Sequence, residues 1–252
     1  NSIKATSGFN KIQLYEKTLN ELDSLWLDQN EKVGITNYEV LLKEKSKFYT
    51  NYTNPVFIND STIIAQRSGL DDITRFIKID KIGKEKIFYT PGFIFSKTLS
   101  GTENLLVWVE KQYDLRWQNR NYAIIKTLDL KTKKTKKLTS HTRYFAAAIS
   151  PDSKKIAAVR ITTDNNYFLD ILETNNGEIL NSISTPENYF FITPSWSDDN
   201  KTLIVVLLSE KGKCLASINS QTNEIKFLTD FSFTEISKPI MFGKFVYFVG
   251  TY

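Results

Sequence analysis

The chain has 252 residues with 41% hydrophobic, 13% aromatic and 24% charged side chains, and its formal net charge is +5. This length and composition allow a large buried core and argue against intrinsic disorder, while the small and interspersed charge argues against a nucleic-acid-binding protein. The single cysteine, Cys214, and the single histidine, His141, exclude an intrachain disulfide and a zinc site of thiolates and imidazoles. The chain also lacks the run of about 18 apolar residues that a membrane-spanning helix requires.

Residues 1–53 are expected to form an N-terminal helix and a connector. The apolar residues that recur every three or four positions between residues 9 and 32 are Ile12, Tyr15, Leu19, Leu22 and Trp26. Ser7 is a candidate N-cap for this amphipathic helix, and Gly34 is a candidate stop signal. We expect the stripe to pack on the following domain or on a preceding one, because the polar face is less basic than that of a membrane-surface helix.

From residue 54 onward, short apolar runs alternate with turn residues, which is typical of a β protein. The two most regular segments, Ile149–Val159 and Trp196–Val206, each predict a strand, a tight acidic turn and a second strand. The repeats open near Pro55, Ser96, Ala147, Pro194 and Pro239. Four candidate strands in each repeat of about 45 residues predict an all-β propeller of four-stranded blades. The predicted blades cover residues 54–91, 92–140, 141–187 and 188–231, and an incomplete blade covers residues 232–252.

The apolar runs support this architecture because they do not alternate with polar residues. Ile156–Val159 and Leu203–Leu208 are continuously apolar, whereas a strand with one solvated face would alternate. A small sheet that stacks between two neighbouring sheets buries both of its faces, so we expect each blade to pack on the next.

The repeat resembles that of a known family. In Ile149–Val159 and Trp196–Val206, an apolar or Trp residue is followed by Ser, Pro or Asp, Asp, a small residue, Lys and an apolar run, and Leu138-Thr139 and Leu228-Thr229 end two blades. In these features residues 54–252 resemble the TolB-like or PD40 (WD40-like) β-propeller repeat family. The resemblance implies six blades in a complete propeller and a periplasmic, outer-membrane-associated or secreted location.

Two features predict that the chain is part of a larger protein. The helix followed by Ser68–Asp72 and Asp114–Tyr122 resembles the propeller part of large envelope or secreted proteins of Bacteroidetes type, whose upstream domain can be peptidase-like. The fifth repeat supplies only two candidate strands before Tyr252. An open ring would expose apolar faces and unpaired strand edges, so we expect a missing part to complete six or more blades.

The segment Asp114–Tyr122 departs most from the repeat, because a short turn would suffice between the second and third strands of its blade. Its candidate binding residues are Asp114, Arg116, Trp117, Asn119, Arg120 and Tyr122. Guanidinium groups and large amphipathic rings gain much contact area at small entropy cost, and they are common in binding hot spots. The alternative is that Trp117 closes the edge of the ring and one of the arginines pairs with Asp114 or Asp71 to brace adjacent blades.

Two charged segments also have alternative interpretations. Asp71 and Asp72, in the corresponding loop of the first blade, could coordinate a hard cation or bind a basic ligand. The alternative is that they are solvated or paired with arginine. Lys131–Lys137 lies at the predicted turn between the third and fourth strands of the second blade. Lysines on a hairpin edge oppose pairing with other strands, and phosphate binding is the alternative.

The sequence predicts no catalytic residue, no metal site and no cofactor. It contains no Gly-x-Ser-x-Gly elbow, no phosphate loop and no dinucleotide fingerprint. His141 lies in a polar link between blades, and Cys214 lies in an apolar strand where a buried thiol is common. A pair of carboxylates for glycoside hydrolysis stays an open possibility, because the distance between two carboxyl groups cannot be read from the sequence.

The sequence therefore predicts a non-catalytic binding or scaffolding module of a larger envelope or secreted protein. Its expected partner is another protein or the remainder of the same protein, with a peptide or a glycan as further ligands. The alternative is an accessory propeller that gates or orients a peptidase domain elsewhere in the full protein. A glycan-binding or glycan-cleaving propeller is a third interpretation.

Overall fold

A computed structural model describes residues 2–33, 37–42, 47–117, 119–185 and 187–251. The chain forms two compact units, Asn1–Lys43 and Glu44–Tyr252. The first unit is helical, and the second is built from β-strands. Gly34, the predicted helix stop, and Gln118, within the predicted binding segment, lie outside the described residues.

The first unit contains α1 (Ser2–Ser7) and α2 (Lys11–Val33). The N-cap of the long helix is Asn10, so the prediction of Ser7 was wrong. Asn10 Oδ1 accepts hydrogen bonds from the backbone N–H groups of Ile12 (3.0 Å) and Gln13 (2.9 Å), and Gln13 Oε1 accepts one from the Asn10 N–H (3.1 Å). This reciprocal arrangement is a capping box. Ser7 ends α1 instead, because Gly8 directly after it has a φ of 77° and terminates the turn.

The predicted apolar stripe of α2 is largely exposed. Ile12, Tyr15 and Trp26 are 69%, 65% and 52% exposed, and Leu22 is partly buried. Among the described residues, no helix is long and apolar enough to cross a membrane.

The second unit contains five antiparallel sheets within the described residues. The first sheet contains β1 (Thr50–Asn59), β2 (Thr62–Gly69), β3 (Arg75–Asp80) and β4 (Glu85–Tyr89). The second contains β5 (Ile94–Gly101), β6 (Leu105–Tyr113), β7 (Asn121–Asp129) and β8 (Thr135–Lys137). The third contains β9 (Tyr144–Ile149), β10 (Lys155–Ile161), β11 (Tyr167–Glu173) and β12 (Ile179–Ile183). The fourth contains β13 (Phe190–Phe191), β14 (Ser195–Trp196), β15 (Thr202–Ser209), β16 (Gly212–Asn219) and β17 (Ile225–Phe227), and the fifth is the hairpin of β18 (Glu235–Phe242) and β19 (Phe245–Thr251).

These sheets confirm the predicted propeller of four-stranded blades, and the first strands of the first and fourth blades show how the observed strands depart from the simple repeat. β1 begins at Thr50, inside the predicted connector, because β2 continues to Gly69 and offers it a backbone partner. The first strand of the fourth blade, whose repeat is expected to open near Pro194, consists of the two short strands β13 and β14, which both pair with β15. Pro194 lies between them, and its missing N–H interrupts the ladder.

The core lies between successive sheets, and inner strands such as β10 contribute both of their faces to it. On β10, Ile156 and Ala158 pack with Val109 of the second sheet, whereas Ala157 and Val159 pack with side chains of the fourth sheet. These four side chains of β10 are fully buried. The continuous apolar runs in the sequence therefore reflect stacking on both sides, as expected.

The repeated turn joins adjacent blades. Asp152 Oδ1 accepts hydrogen bonds from the Ser150 hydroxyl (2.6 Å) and the Lys154 N–H (3.1 Å), which closes the first copy of the turn. The Asp152 N–H donates to Asn200 Oδ1 of the second copy (2.9 Å), and Trp196 Nε1 donates to the Ala148 carbonyl (3.0 Å). These residues therefore belong to the scaffold rather than to a site.

One buried carboxylate links all four strands of the third blade. Asp170 on β11 is fully buried and accepts hydrogen bonds from Arg160 on β10, Tyr144 on β9 and Ser182 on β12. Burial, and then the Asp170 charge, raise the pKa of Tyr144, so its hydroxyl stays a donor. A polar network of this kind orients the strands of one blade relative to each other.

Candidate functional site

The described residues of the loop between β6 and β7 hold the predicted binding side chains on a hydrogen-bonded backbone. Asp114 Oδ1 accepts hydrogen bonds from the backbone N–H groups of Arg116 (2.9 Å) and Trp117 (3.1 Å). The backbone N–H of Asp114 donates to the Arg120 carbonyl (3.1 Å), and that of Arg120 donates to the Trp117 carbonyl (2.9 Å). The hydrogen bond from Arg116 is the largest cause that lowers the pKa of Asp114, which therefore stays an acceptor at neutral pH.

The tip of this loop exposes large side chains to solvent. Leu115 is fully exposed, and Trp117 is 56% exposed. The Arg116 guanidinium lies 5.3 Å from the centroid of the Trp117 ring, which is a cation–π distance. Asn119 is also exposed. The loop thus presents an apolar residue, an indole and a guanidinium at one tip.

The C-terminal end of the loop is braced by the link between the second and third blades. The Tyr122 ring makes an edge contact with the His141 ring at a centroid distance of 4.7 Å, and the Arg120 guanidinium lies 5.5 Å from the Tyr122 centroid. The neighbouring Ala123 N–H donates to the Thr142 carbonyl (2.9 Å). The link therefore supports Tyr122, Tyr122 in turn contacts Arg120, and the His141 ring packs against Tyr122.

The structure adds residues that the sequence analysis did not select. Lys111 Nζ lies between two exposed rings, 5.6 Å from the Phe93 centroid and 4.6 Å from the Tyr113 centroid. Phe93 and Tyr113 are 61% and 56% exposed. Tyr113 directly precedes the loop, so its aromatic character was visible in the sequence. Phe93 is brought to it by the backbone hydrogen bond from the Lys111 N–H to the Phe93 carbonyl (2.7 Å), which only the sheet register reveals.

The bracing alternative names an ion pair between an arginine and Asp114, and the pair that the structure contains joins two residues of the same loop. The side-chain nitrogen Nε of Arg120 lies 4.0 Å from Asp114 Oδ2, and the Arg120 side chain is 63% exposed. At this distance and exposure the ion pair contributes little to stability. Trp117 is half exposed, and its proposed closing of the ring edge stays a prediction.

Asp71 and Asp72 have different environments. Asp72 forms ion pairs with Arg75 (2.7 Å) and Arg67 (2.9 Å), and Arg67 also pairs with Glu85. The hydrogen bonds from Arg75 and Arg67 lower the pKa of Asp72 to about 2. Asp71 is exposed. Asp72 is therefore committed to a charged network that joins β2, β3 and β4, which matches the arginine-paired alternative.

The remaining candidates lie where the sequence placed them. The turn before β8 and β8 itself carry Lys131–Lys137, and all side chains of β8 are exposed at the edge of the second sheet. Cys214 is fully buried on β16, and burial raises the pKa of its thiol to about 11. Among the described residues, no group of three or more His, Cys, Asp or Glu side chains could hold a metal ion.

Comparisons with known proteins identify the fold. Neither a protein-family model nor a curated protein matches the sequence. The chain is similar to TolB from Acinetobacter baumannii with a TM-score of 0.56 and 16% identity, over 74% of this chain and 45% of that chain. It is similar to a chain of a nidogen/laminin complex with a TM-score of 0.57 and 12% identity, over 79% of this chain and 72% of that chain. It is also similar to a prolyl endopeptidase, with a TM-score of 0.52 and 12% identity, over 80% of this chain and 32% of that chain.

The chain therefore spans less than half the length of the TolB chain that it matches. Identities this low carry information about architecture and not about ligands or reactions. Together with the stacked four-stranded sheets, these likenesses show that the second unit has a TolB-like β-propeller fold.

Proposed function

We propose that the chain is a non-catalytic propeller module of a larger envelope or secreted protein and that it binds a protein partner through the β6–β7 loop. The observation that carries this proposal is the combination of a hydrogen-bonded loop backbone with the exposed side chains of Leu115 and Trp117. The PD40 character of the repeats and the Bacteroidetes-type envelope context belong to the same proposal.

The composition of the loop suits a protein interface better than a small-molecule site. An exposed indole flanked by guanidinium groups is the residue set that dominates measured interface hot spots. Here the rings are presented outward, with Trp117 at the tip and Tyr113 on the adjoining strand. An exposed tip of this kind can insert into a pocket of a partner.

Preorganisation increases the affinity that such a tip can reach. Asp114 holds the N–H groups of Arg116 and Trp117 in place before any partner arrives. Ordering a mobile loop on binding would cost conformational entropy, and a loop that is already ordered avoids much of this cost. The accessory-peptidase and glycan interpretations stay predictions of the sequence.

The proposal is tested by photo-crosslinking in cells of the source organism. A benzophenone amino acid at position 117 is compared with one at position 57, because Phe57 is 74% exposed on the first sheet and is not part of the loop. We expect a discrete protein to crosslink from position 117 and not from position 57. The purified partner is then titrated with the wild-type chain and with Trp117→Ala, Arg120→Ala and Phe57→Ala.

The expected result is a loss of affinity of at least about ten-fold for Trp117→Ala, because hot-spot truncations cost about 2 kcal/mol or more. Phe57→Ala should bind as the wild-type chain does. Circular dichroism should show that all three variants remain folded. Equal affinity of Trp117→Ala and wild type, or the same crosslinked proteins from both positions, would contradict the proposal.

A further inference from the structure

A cavity of about 580 Å³ lies beside the outer strand β17 of the fourth sheet. Its walls include the rings of Tyr189, Phe227 and Phe231 and the side chain of Ile225. Tyr189 lies in the link between the third and fourth sheets, and the other three residues lie on β17 or just after it. The volume is within the range of small-molecule sites.

The three aromatic rings form one cluster and are inclined to one another. The Tyr189 and Phe231 centroids are 5.0 Å apart with an interplanar angle of 59°, and the Phe227 and Phe231 centroids are 6.0 Å apart at 54°. Tyr189 and Phe227 are 6.5 Å apart at 74°. Rings at these separations are in contact with one another, and an electron-rich ring face that borders the cavity can attract an ammonium group, as in aromatic cages.

The charge of the cavity is opposite to that of the chain. Glu187 and Asp230 are the charged residues among its described lining, whereas the chain carries a net charge of +5. Lys226 lies between Ile225 and Phe227 in the sequence, but side chains alternate along a strand, so Lys226 points to the other face of β17. A cation in the cavity therefore meets carboxylates and no competing lysine among these residues.

Hydrogen bonds hold Tyr189, one of the three aromatic residues, in place. The Tyr189 hydroxyl donates to Glu187, and the Tyr189 N–H donates to Thr185 Oγ1 (2.5 Å). The Asn188 side chain accepts a hydrogen bond from the Tyr167 N–H (2.9 Å), which anchors the link to the third sheet. A cage that exists before binding loses little entropy when a ligand enters.

We propose that this cavity binds an organic ammonium cation carried on an alkyl chain. The three rings attract the positive charge, Glu187 and Asp230 compensate it, and Ile225 contacts the alkyl chain. The cation is either a free quaternary amine or the side chain of a lysine in a peptide. The site lies on a different sheet from the β6–β7 loop, so its test does not depend on the proposed protein partner.

Titrations followed by NMR test the proposal with matched pairs of probes. Choline is compared with its uncharged isostere 3,3-dimethylbutan-1-ol, and a blocked lysine peptide is compared with the same peptide carrying norleucine. We expect the charged member of at least one pair to bind about five-fold more tightly than its neutral counterpart, as cation–π attraction in a partly desolvated site predicts. The pair that shows the preference identifies the source of the cation.

Two variants locate the effect. Phe227→Leu keeps an apolar side chain but removes one ring, and it should abolish most of the preference. Phe233→Leu is the matched control, because Phe233 is 87% exposed and is not among the residues that line the cavity. The proposal would be overturned if no probe pair showed a preference for its charged member. It would also be overturned if Phe227→Leu kept the preference of the wild-type chain.

Discussion

Replacement of Asp170 by alanine should destabilise the propeller unit more than any surface substitution. Asp170 Oδ2 accepts hydrogen bonds from Arg160 Nε (2.5 Å) and the Tyr144 hydroxyl (3.1 Å). Its Oδ1 accepts them from Arg160 Nη2 (3.1 Å) and the Ser182 hydroxyl (2.5 Å). The substitution therefore removes contacts to the other three strands of the third blade at once.

The loss of stability depends on the Arg160 and Tyr144 groups that lose the Asp170 carboxylate. Removing one partner of a buried ion pair costs about 3–5 kcal/mol, because the other charge stays without compensation. The Arg160 side chain is 27% exposed and can recover some hydration, which reduces this penalty. The Tyr144 hydroxyl is buried and loses its acceptor, which adds to it. We therefore expect the free energy of unfolding to fall by about 3–5 kcal/mol.

Equilibrium unfolding in urea, followed by far-ultraviolet circular dichroism, measures this change. Asp164→Ala is the control, because Asp164 lies in the exposed turn between β10 and β11, where substitutions change stability by about 0.5 kcal/mol or less. A double-mutant cycle with Arg160→Met should show a coupling energy of at least about 1 kcal/mol. A loss below about 1 kcal/mol for Asp170→Ala, or strictly additive effects, would refute this account of the network.

Three further predictions concern the loop and two titratable groups. Asp114→Ala should make amide hydrogen exchange at Arg116 and Trp117 several-fold faster while leaving the sheets protected; unchanged exchange would show that Asp114 does not order the loop. The Cys214 thiol, buried and with a pKa raised to about 11, should resist a disulfide reagent at pH 8 in the folded protein and react fully in denaturant; rapid native reaction would contradict its burial. Pairing with two arginines lowers the pKa of Asp72 from 3.8 to about 2. Because its folded pKa is depressed, the stability from this pair is present above about pH 4 and is lost as the pH falls toward 2. Acid titrations of wild type and Asp72→Asn should therefore converge in that range, and parallel curves would contradict the assignment.

The strands were predictable because their signals are local. The runs at Ile156–Val159 and Leu203–Leu208 and the acidic turns before them depend on neighbouring residues, so they revealed blades of four strands. The wrong N-cap prediction also arose from local sequence, because two nearby residues carry the same signal. Ser7 and Asn10 both carry N-cap chemistry, and only the observed hydrogen bonds decide which of them caps α2.

The composition of the candidate binding loop was visible in the sequence, but its geometry was not. Trp117 and Arg120 stand out in any reading of the chain, whereas the contact of Tyr122 with His141 depends on how the second blade meets the link to the third. The Phe93–Lys111–Tyr113 stack requires the register of β5 against β6, which short-range patterns do not contain.

The sequence alone determined the β-propeller repeat, the apolar character of both sheet faces and the residues of the β6–β7 loop, because each is written in consecutive positions. The tertiary structure decided which polar side chains meet. Asp170 finds partners on three other strands, and Tyr189, just before the first strand of the fourth sheet, meets Phe227 and Phe231 at the end of the same sheet. Such contacts arise from stacking and register, which are collective properties of the whole unit and not of any one segment.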